Sequence, residues 1–177
     1  MIRRLAGEGI GVTRHTVYLS VGSNMGDAFA NCRFGIAATA AHPDVLLTAT
    51  SHFYRTAPVD FTAQNWFVNA AFRIETALEA HALLALTHAV QASAGQGPKA
   101  LRFGPRILDL DLIFFDDLIL KQPDLELPHP RMHKRRFVLQ PICDIEPQFV
   151  HPVLGHSVQD LLTRLEDDEQ EVARIDA

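Results

Sequence analysis

A β-branched and apolar run, T-V-Y-L-S-V at residues 16–21, stops at G-S-N-M-G-D, residues 22–27. That order predicts a strand, a turn and a helix start, with Asn24 or Asp27 able to cap. The same turn could cradle a phosphate at the helix N-terminus or be a plain tight turn. Residues 28–41 place Phe29, Cys32, Ile36, Ala37 and Ala40 at helical spacing and end near His42 and Pro43. Residues 45–53 alternate loosely and predict a strand that continues through 54–59, before a loop over 60–64. Residues 67–76 predict another strand, with Phe67, Asn69, Ala71 and Arg73 on one face and Val68, Ala70, Phe72 and Ile74 on the other. Helical spacing returns over 79–94 through Ala82, Leu83, Leu86 and Val90, with His81, His88 and Gln91 on the wetter side. The G-Q-G-P-K stretch at 95–99 reads either as a loop that closes over a substrate or as an ordinary surface connection.

The chemistry concentrates further on. Residues 104–115, G-P-R-I-L-D-L-D-L-I-F-F, predict a turn leading into a strand. Alternation puts Asp109 and Asp111 on one face and Leu108, Leu110 and Leu112 in a core. Two carboxylates about 6–7 Å apart along one strand face repel each other unless a cation lies between them. With no Cys or His beside them, Mg²⁺ suits the pair better than zinc, and Arg106 could hold a phosphate. A solvated surface turn is the plain alternative. Asp116 and Asp117 then predict a turn, with a short return over 118–121. A basic cluster follows, P-H-P-R-M-H-K-R-R-F at 128–137, ahead of an apolar helical segment. In an otherwise acidic chain this is a local anion site. Asn69, a polar amide among apolar neighbours, needs partners or costs roughly 1–3 kcal/mol, and a ligand edge or the backbone could supply them.

Composition narrows the classes. With 177 residues, 47% of them hydrophobic, the chain is long enough for one domain with a sizeable core. A net charge of −5 and a pI near 5.9 argue against nucleic acid as a partner. No apolar run reaches the ~18–20 residues needed to cross a bilayer, so no membrane partner is expected. Cys32 and Cys143 fit reduced thiols of a cytoplasmic protein. Residues 1–15 read as a loose extension, 16–165 as the domain and 166–177 as an acidic tail without visible chemistry. Two strand-helix-strand units suggest an α+β fold, a ferredoxin-like antiparallel sheet with helices packed on it.

Five ordered blocks bear a resemblance. Y-L-S-V-G-S-N (18–24), S-H-F-Y-R-T-A-P (51–58), N-W-F-V-N-A-A (65–71), G-P-R-I-L-D-L-D (104–111) and P-H-P-R-M-H-K-R-R-F (128–137) together resemble the 6-hydroxymethyl-7,8-dihydropterin pyrophosphokinases of folate synthesis. The resemblance implies a ferredoxin-like enzyme that transfers pyrophosphate from ATP to the pterin hydroxymethyl oxygen and releases AMP. It implies two Mg²⁺ ions on Asp109 and Asp111, which are catalytic together with Arg106. It implies ATP contacts from Lys99, Arg106, Leu112, His129 and Arg135. Pterin is implied between Phe67 and Phe137, its edge read by Asn69 and by the backbone of Thr56, Ala57 and Val59. A monomer or weak homodimer is expected. The family usually has an acidic residue late in the second helix, then two loop arginines and a tryptophan. Here Gln91, Gln96, Pro98 and Phe103 are aligned with them. That departure leaves a second reading, a catalytically weakened paralogue that binds pterin or acts on a related pterin.

Overall fold

The run at residues 16–21 becomes an inner strand of a sheet. A computed structural model describes residues 14–58, 63–95, 104–165 and 170–176. Strand β1 (His15–Ser23) pairs antiparallel along its whole length with β4 (Phe67–Thr76), from His15 opposite Thr76 to Ser23 opposite Val68. The other edge of β1 takes β5 (Asp109–Phe115), also antiparallel. The far edge of β4 is shared by β2 (Val45–Thr50) and β3 (Tyr54–Thr56). Helices α1 (Ala28–Ala40) and α2 (Ala80–Ser93) make the two strand-helix-strand crossovers. This is the expected ferredoxin-like α+β sheet.

Alternation along the strands divides the sheet into two differently used faces. Val17, Leu19, Val21, Ala70, Phe72, Ile74, Leu110 and Leu112 form one core with Cys32 and Ile36 of α1 and Leu83 and Val90 of α2. At Gly35 a Cβ would stand 2.8 Å from Leu108 Cδ1, so a bare α-carbon lets α1 come this close. The opposite face is only half covered. Helices α3 (Arg136–Ile145) and α4 (Val158–Thr163) pack Val138, Leu139, Ile142, Val158 and Leu161 against Tyr18, Ala71 and Ile113. Beside the first turn of α3, which contributes Phe137, the side chains of Ser20, Phe67, Asn69, Asp109 and Asp111 line a cleft.

Several local expectations change. Asp27 caps α1, accepting from the Ala30 N–H, whereas Asn24 is engaged elsewhere. The strand expected over 45–59 breaks into β2 and β3, because Ser51 turns in to pair with Ala71 through both its backbone and its hydroxyl. The return after Asp116 does not fold back on β5. Asp116 accepts from the Thr16 N–H and pairs with the His15 ring at 2.7 Å, tying the end of β5 to the start of β1. The chain then forms a separate hairpin of β6 (Leu120–Lys121) and β7 (Glu126–Leu127). Within the residues read as a tail, β8 (Val172–Arg174) adds to β3. Among the described residues, no helix is long and apolar enough to cross a membrane.

Candidate active site

Sheet register builds the floor of the cleft. Gly22 on the central strand faces Asp109 of β5 on one side and Asn69 of β4 on the other. Directly paired residues share a face, and strands lie about 4.8 Å apart, so the Asp109 and Asn69 α-carbons stand roughly 10 Å apart across Gly22. The neighbouring row is Asp111, Ser20 and Ala71. Both aspartates therefore point into the cleft, while Leu108, Leu110 and Leu112 are buried in the core beneath.

Gly22 is required here by contact rather than by backbone torsion. A Cβ on it would stand 2.5 Å from Asn69 Oδ1. Asn69 is 5% exposed and its Nδ2 donates to Thr56 Oγ1 at 2.6 Å, which orients the amide. Thr56 and Ala57 line the same cleft, as do the Phe67 and Phe137 rings.

Asn24, considered above as a cap or part of a phosphate turn, is a brace. Its N–H donates to the Arg106 carbonyl at 3.0 Å and its Oδ1 accepts from the Arg106 N–H at 2.8 Å. Its Nδ2 donates to Gln64 Oε1 and to the Asn65 carbonyl. One buried amide thus joins the turn before β5 to the segment before β4. Arg106 in turn donates from Nη1 to Asp109 Oδ1 at 3.1 Å.

Gln91 was expected on the wetter side of α2, but it is 9% exposed. Its Oε1 accepts from the Leu110 N–H at 3.3 Å and its Nε2 donates to the Thr87 carbonyl at 3.2 Å. An edge strand leaves half of its N–H groups without a neighbouring strand, and the amide supplies the acceptor between the two aspartates. His81 and His88 are exposed, as read from the spacing.

The basic cluster divides. Arg131 and Arg135 line the cleft with His129, whereas Arg136 donates from Nη2 to the Leu165 carbonyl. His133 packs edge-on against His151. His129 is docked through a β-bulge. Tyr18 pairs with Phe114 and Leu19 with Leu112, leaving Ile113 as the extra residue, and the Ile113 carbonyl accepts the His129 N–H. Its Nδ1 accepts from the Arg131 N–H at 3.2 Å, so in the neutral ring the proton sits on Nε2. Burial, then the Arg135 and Arg131 charges, push the His129 pKa down to about 4. His133 and His151 are also held below the usual histidine range, each mainly by burial.

These histidines set a sign for acid stability. Each is neutral when folded and binds a proton more readily when unfolded, so its contribution is complete above the unfolded pKa of about 6.5 and falls as pH decreases. For His129 the loss runs from about 6.5 down to about 4. Thermal midpoints measured across this window are expected to fall for the wild type and less steeply for His129→Gln. Parallel curves would contradict the assignment of a neutral, half-buried ring.

A second cleft adjoins the first. Leu84, His88, Gln91 and Leu112 line it, and Asp109, Asp111 and His129 belong to both. Of the residues singled out from sequence, Arg106, Asp109, Asp111, Leu112, His129, Arg135, Thr56, Ala57, Phe67, Asn69 and Phe137 thus border one or both clefts. Val59 and Lys99 lie outside the described residues, as do Gln96, Pro98 and Phe103. Gly22, Gln64 and Arg131 were not singled out. Arg131 lay within the cluster, but neither spacing nor charge distinguishes it from Arg136.

The donor set bears on a metal. Asp109 and Asp111 share one face, and no group of three or more His, Cys, Asp or Glu poised for a metal ion occurs among the described residues. Two carboxylates in a cleft also lined by Arg106, Arg131 and Arg135 fit Mg²⁺, which keeps water and phosphate oxygens as its remaining ligands.

Comparison with known proteins agrees in fold and in sequence. The family model described as 7,8-dihydro-6-hydroxymethylpterin-pyrophosphokinase (HPPK) matches residues 18–147. A 2-amino-4-hydroxy-6-hydroxymethyldihydropteridine pyrophosphokinase from Methylorubrum extorquens is 36% identical over 149 residues, covering 84% of this chain and 92% of that protein. The protein of the same name from Bacillus subtilis is 38% identical over 128 residues, 72% of this chain and 76% of its own. The folic acid synthesis protein FOL1 of Dictyostelium discoideum is 38% identical over 138 residues, but the chain spans only 20% of its length. A crystal structure of a Plasmodium falciparum HPPK-DHPS triple mutant superposes with a TM-score of 0.69 at 13% identity, over 86% of this chain and 43% of that one. At that identity the likeness concerns the fold.

Proposed function

Since the chain belongs to the 7,8-dihydro-6-hydroxymethylpterin-pyrophosphokinase family, we propose that it transfers pyrophosphate from ATP to the hydroxymethyl oxygen of 6-hydroxymethyl-7,8-dihydropterin. The oxygen attacks the β-phosphorus, the bond to the α-phosphate oxygen breaks and AMP leaves. The observation that carries this reading is the meeting of two clefts at Asp109, Asp111 and His129. A transfer between two bound molecules needs such a junction.

The first cleft suits a flat heterocycle. Phe67 and Phe137 would stack on its faces, and Asn69 with the Thr56 and Ala57 backbone would read its edge, with Val59 assigned alongside by resemblance. The second cleft, with Leu112 in its wall, would take the nucleotide base. Arg106 and Arg135, joined by Arg131, would face the phosphates. His129 would donate from Nε2 while remaining neutral, so the compensating positive charge comes from the arginines. Lys99 is assigned to the same triphosphate by resemblance. Asp109 and Asp111 would hold Mg²⁺, two ions by the family pattern, and the metal would neutralise charge on the transferring phosphates. No side chain is needed as a strong base, because phosphoryl-type transfer depends mainly on positioning and electrostatics.

Gln91 bears on the alternative of a weakened, pterin-binding paralogue. Its amide oxygen accepts from the Leu110 N–H, a role a carboxylate could also fill, so this departure leaves the aspartate strand held. AMP formation from Mg-ATP should require the pterin and should stop on addition of excess EDTA. Tight pterin binding with no AMP would support the paralogue instead.

A further inference from the structure

We propose that residues 170–176 brace the wall of the pterin cleft from behind and that Gln170 is a positioning residue for Arg135 and Phe137. The inference rests on the reading of that cleft given above. Gln170 is 5% exposed. Its Oε1 accepts from the Arg136 N–H at 2.8 Å and its Nε2 donates to the Lys134 carbonyl at 3.0 Å. Those two backbone groups flank Arg135, and Phe137 follows in the first turn of α3. First-turn N–H groups have no acceptor within their own helix, and the N-cap residue Arg135 does not cap them through its side chain. Gln170 supplies one from a distant part of the chain.

The same segment also holds the Thr56 and Ala57 part of the lining. The Ala57 N–H donates to the Glu171 carbonyl at 3.0 Å, and β8 pairs with β3 from Thr56 opposite Val172 to Tyr54 opposite Arg174. One stretch therefore ties two parts of the lining together, Thr56 with Ala57 and Arg135 with Phe137. It adds no side chain to either apolar core cluster. Loss of its hydrogen bonds should then disturb the cleft more than the fold. The family model ends at residue 147, so this brace lies beyond the matched region.

Two full-length variants test the proposal. Gln170→Met keeps the side-chain length and removes both hydrogen bonds. Gln170→Glu keeps the acceptor for the Arg136 N–H but, ionised, cannot donate to the Lys134 carbonyl. The readouts are the dissociation constant for 6-hydroxymethylpterin, followed by pterin fluorescence, and the KM for pterin against that for ATP. Gln170→Met should weaken pterin binding about tenfold, the size of one lost hydrogen bond. Its pterin KM should rise more than its ATP KM, with the cooperative thermal transition retained, and Gln170→Glu should fall between it and the wild type. Pterin binding by a folded Gln170→Met protein within twofold of wild type would overturn the proposal. Should that variant not fold, Gln170→Glu decides, and wild-type pterin affinity in it would overturn the proposal equally. A wild-type chain that binds no pterin would instead refute the functional reading.

Discussion

Asp109→Asn or Asp111→Asn should lower the rate of AMP release by on the order of 10²–10³-fold or more, the scale of losing one preorganised charge contact in such a site. The fold should survive. Both residues lie on the face that β5 turns to the cleft, whereas Leu110 and Leu112 on its other face, with Leu108 just before it, belong to the core. Asp109 forms an ion pair with Arg106, at 3.1 Å, with side chains 25% and 12% exposed. Losing a charged hydrogen bond in a pair this buried costs roughly 1–3 kcal/mol, so the melting temperature should fall by several degrees with the cooperative transition retained. Steady-state AMP release and thermal unfolding, measured on the same preparations, check both halves. Near wild-type turnover in either variant would show that the carboxylates do not hold the reacting phosphates.

The second large effect is expected at a residue with no functional group. Gly22→Ala places a methyl 2.5 Å from Asn69 Oδ1, well inside van der Waals contact. Neither strand can retreat easily, since Gly22 sits on the central strand between Asp109 and Asn69. Relief must come from rotation of the Asn69 amide, which breaks its 2.6 Å bond to Thr56. The buried amide then loses a partner at a cost of roughly 1–3 kcal/mol, equivalent to about 10–100-fold in affinity if it falls on the pterin complex. The KM for pterin should rise by that factor while the KM for ATP changes little. Asn69→Leu should raise the pterin KM in the same way. Equal increases for both substrates in Gly22→Ala would mean that the methyl disturbs the sheet as a whole and not the amide.

What could be read from the sequence follows the physics of short range. Alternation in L-D-L-D-L placed Asp109 and Asp111 opposite the core leucines, because a strand's side-chain period does not depend on its neighbours. The bounds of β4 and the existence of α1 and α2 were legible for the same reason. Gln91 was not, because a glutamine on an amphipathic helix reads as solvated until the edge strand beside it is known to present the Leu110 N–H. Asn24 carried a strong local signal for capping, but tertiary contacts to Arg106, Gln64 and Asn65 took its amide instead. The bulge at Ile113, which docks His129, leaves no trace in an apolar run. Gln170 lay in a polar, acidic stretch with no periodicity, yet it supplies the acceptor that the start of α3 lacks. The five blocks of resemblance fall on the site, whereas the braces that aim it lie partly outside them.

The most direct measurement is phosphorus NMR of a reaction containing ATP, Mg²⁺, 6-hydroxymethyl-7,8-dihydropterin and the full chain. The proposed chemistry predicts AMP and a pterin diphosphate ester in equal amounts, with neither formed when the pterin is omitted. ADP with inorganic phosphate, or unchanged ATP beside folded and pterin-bound protein, would contradict it.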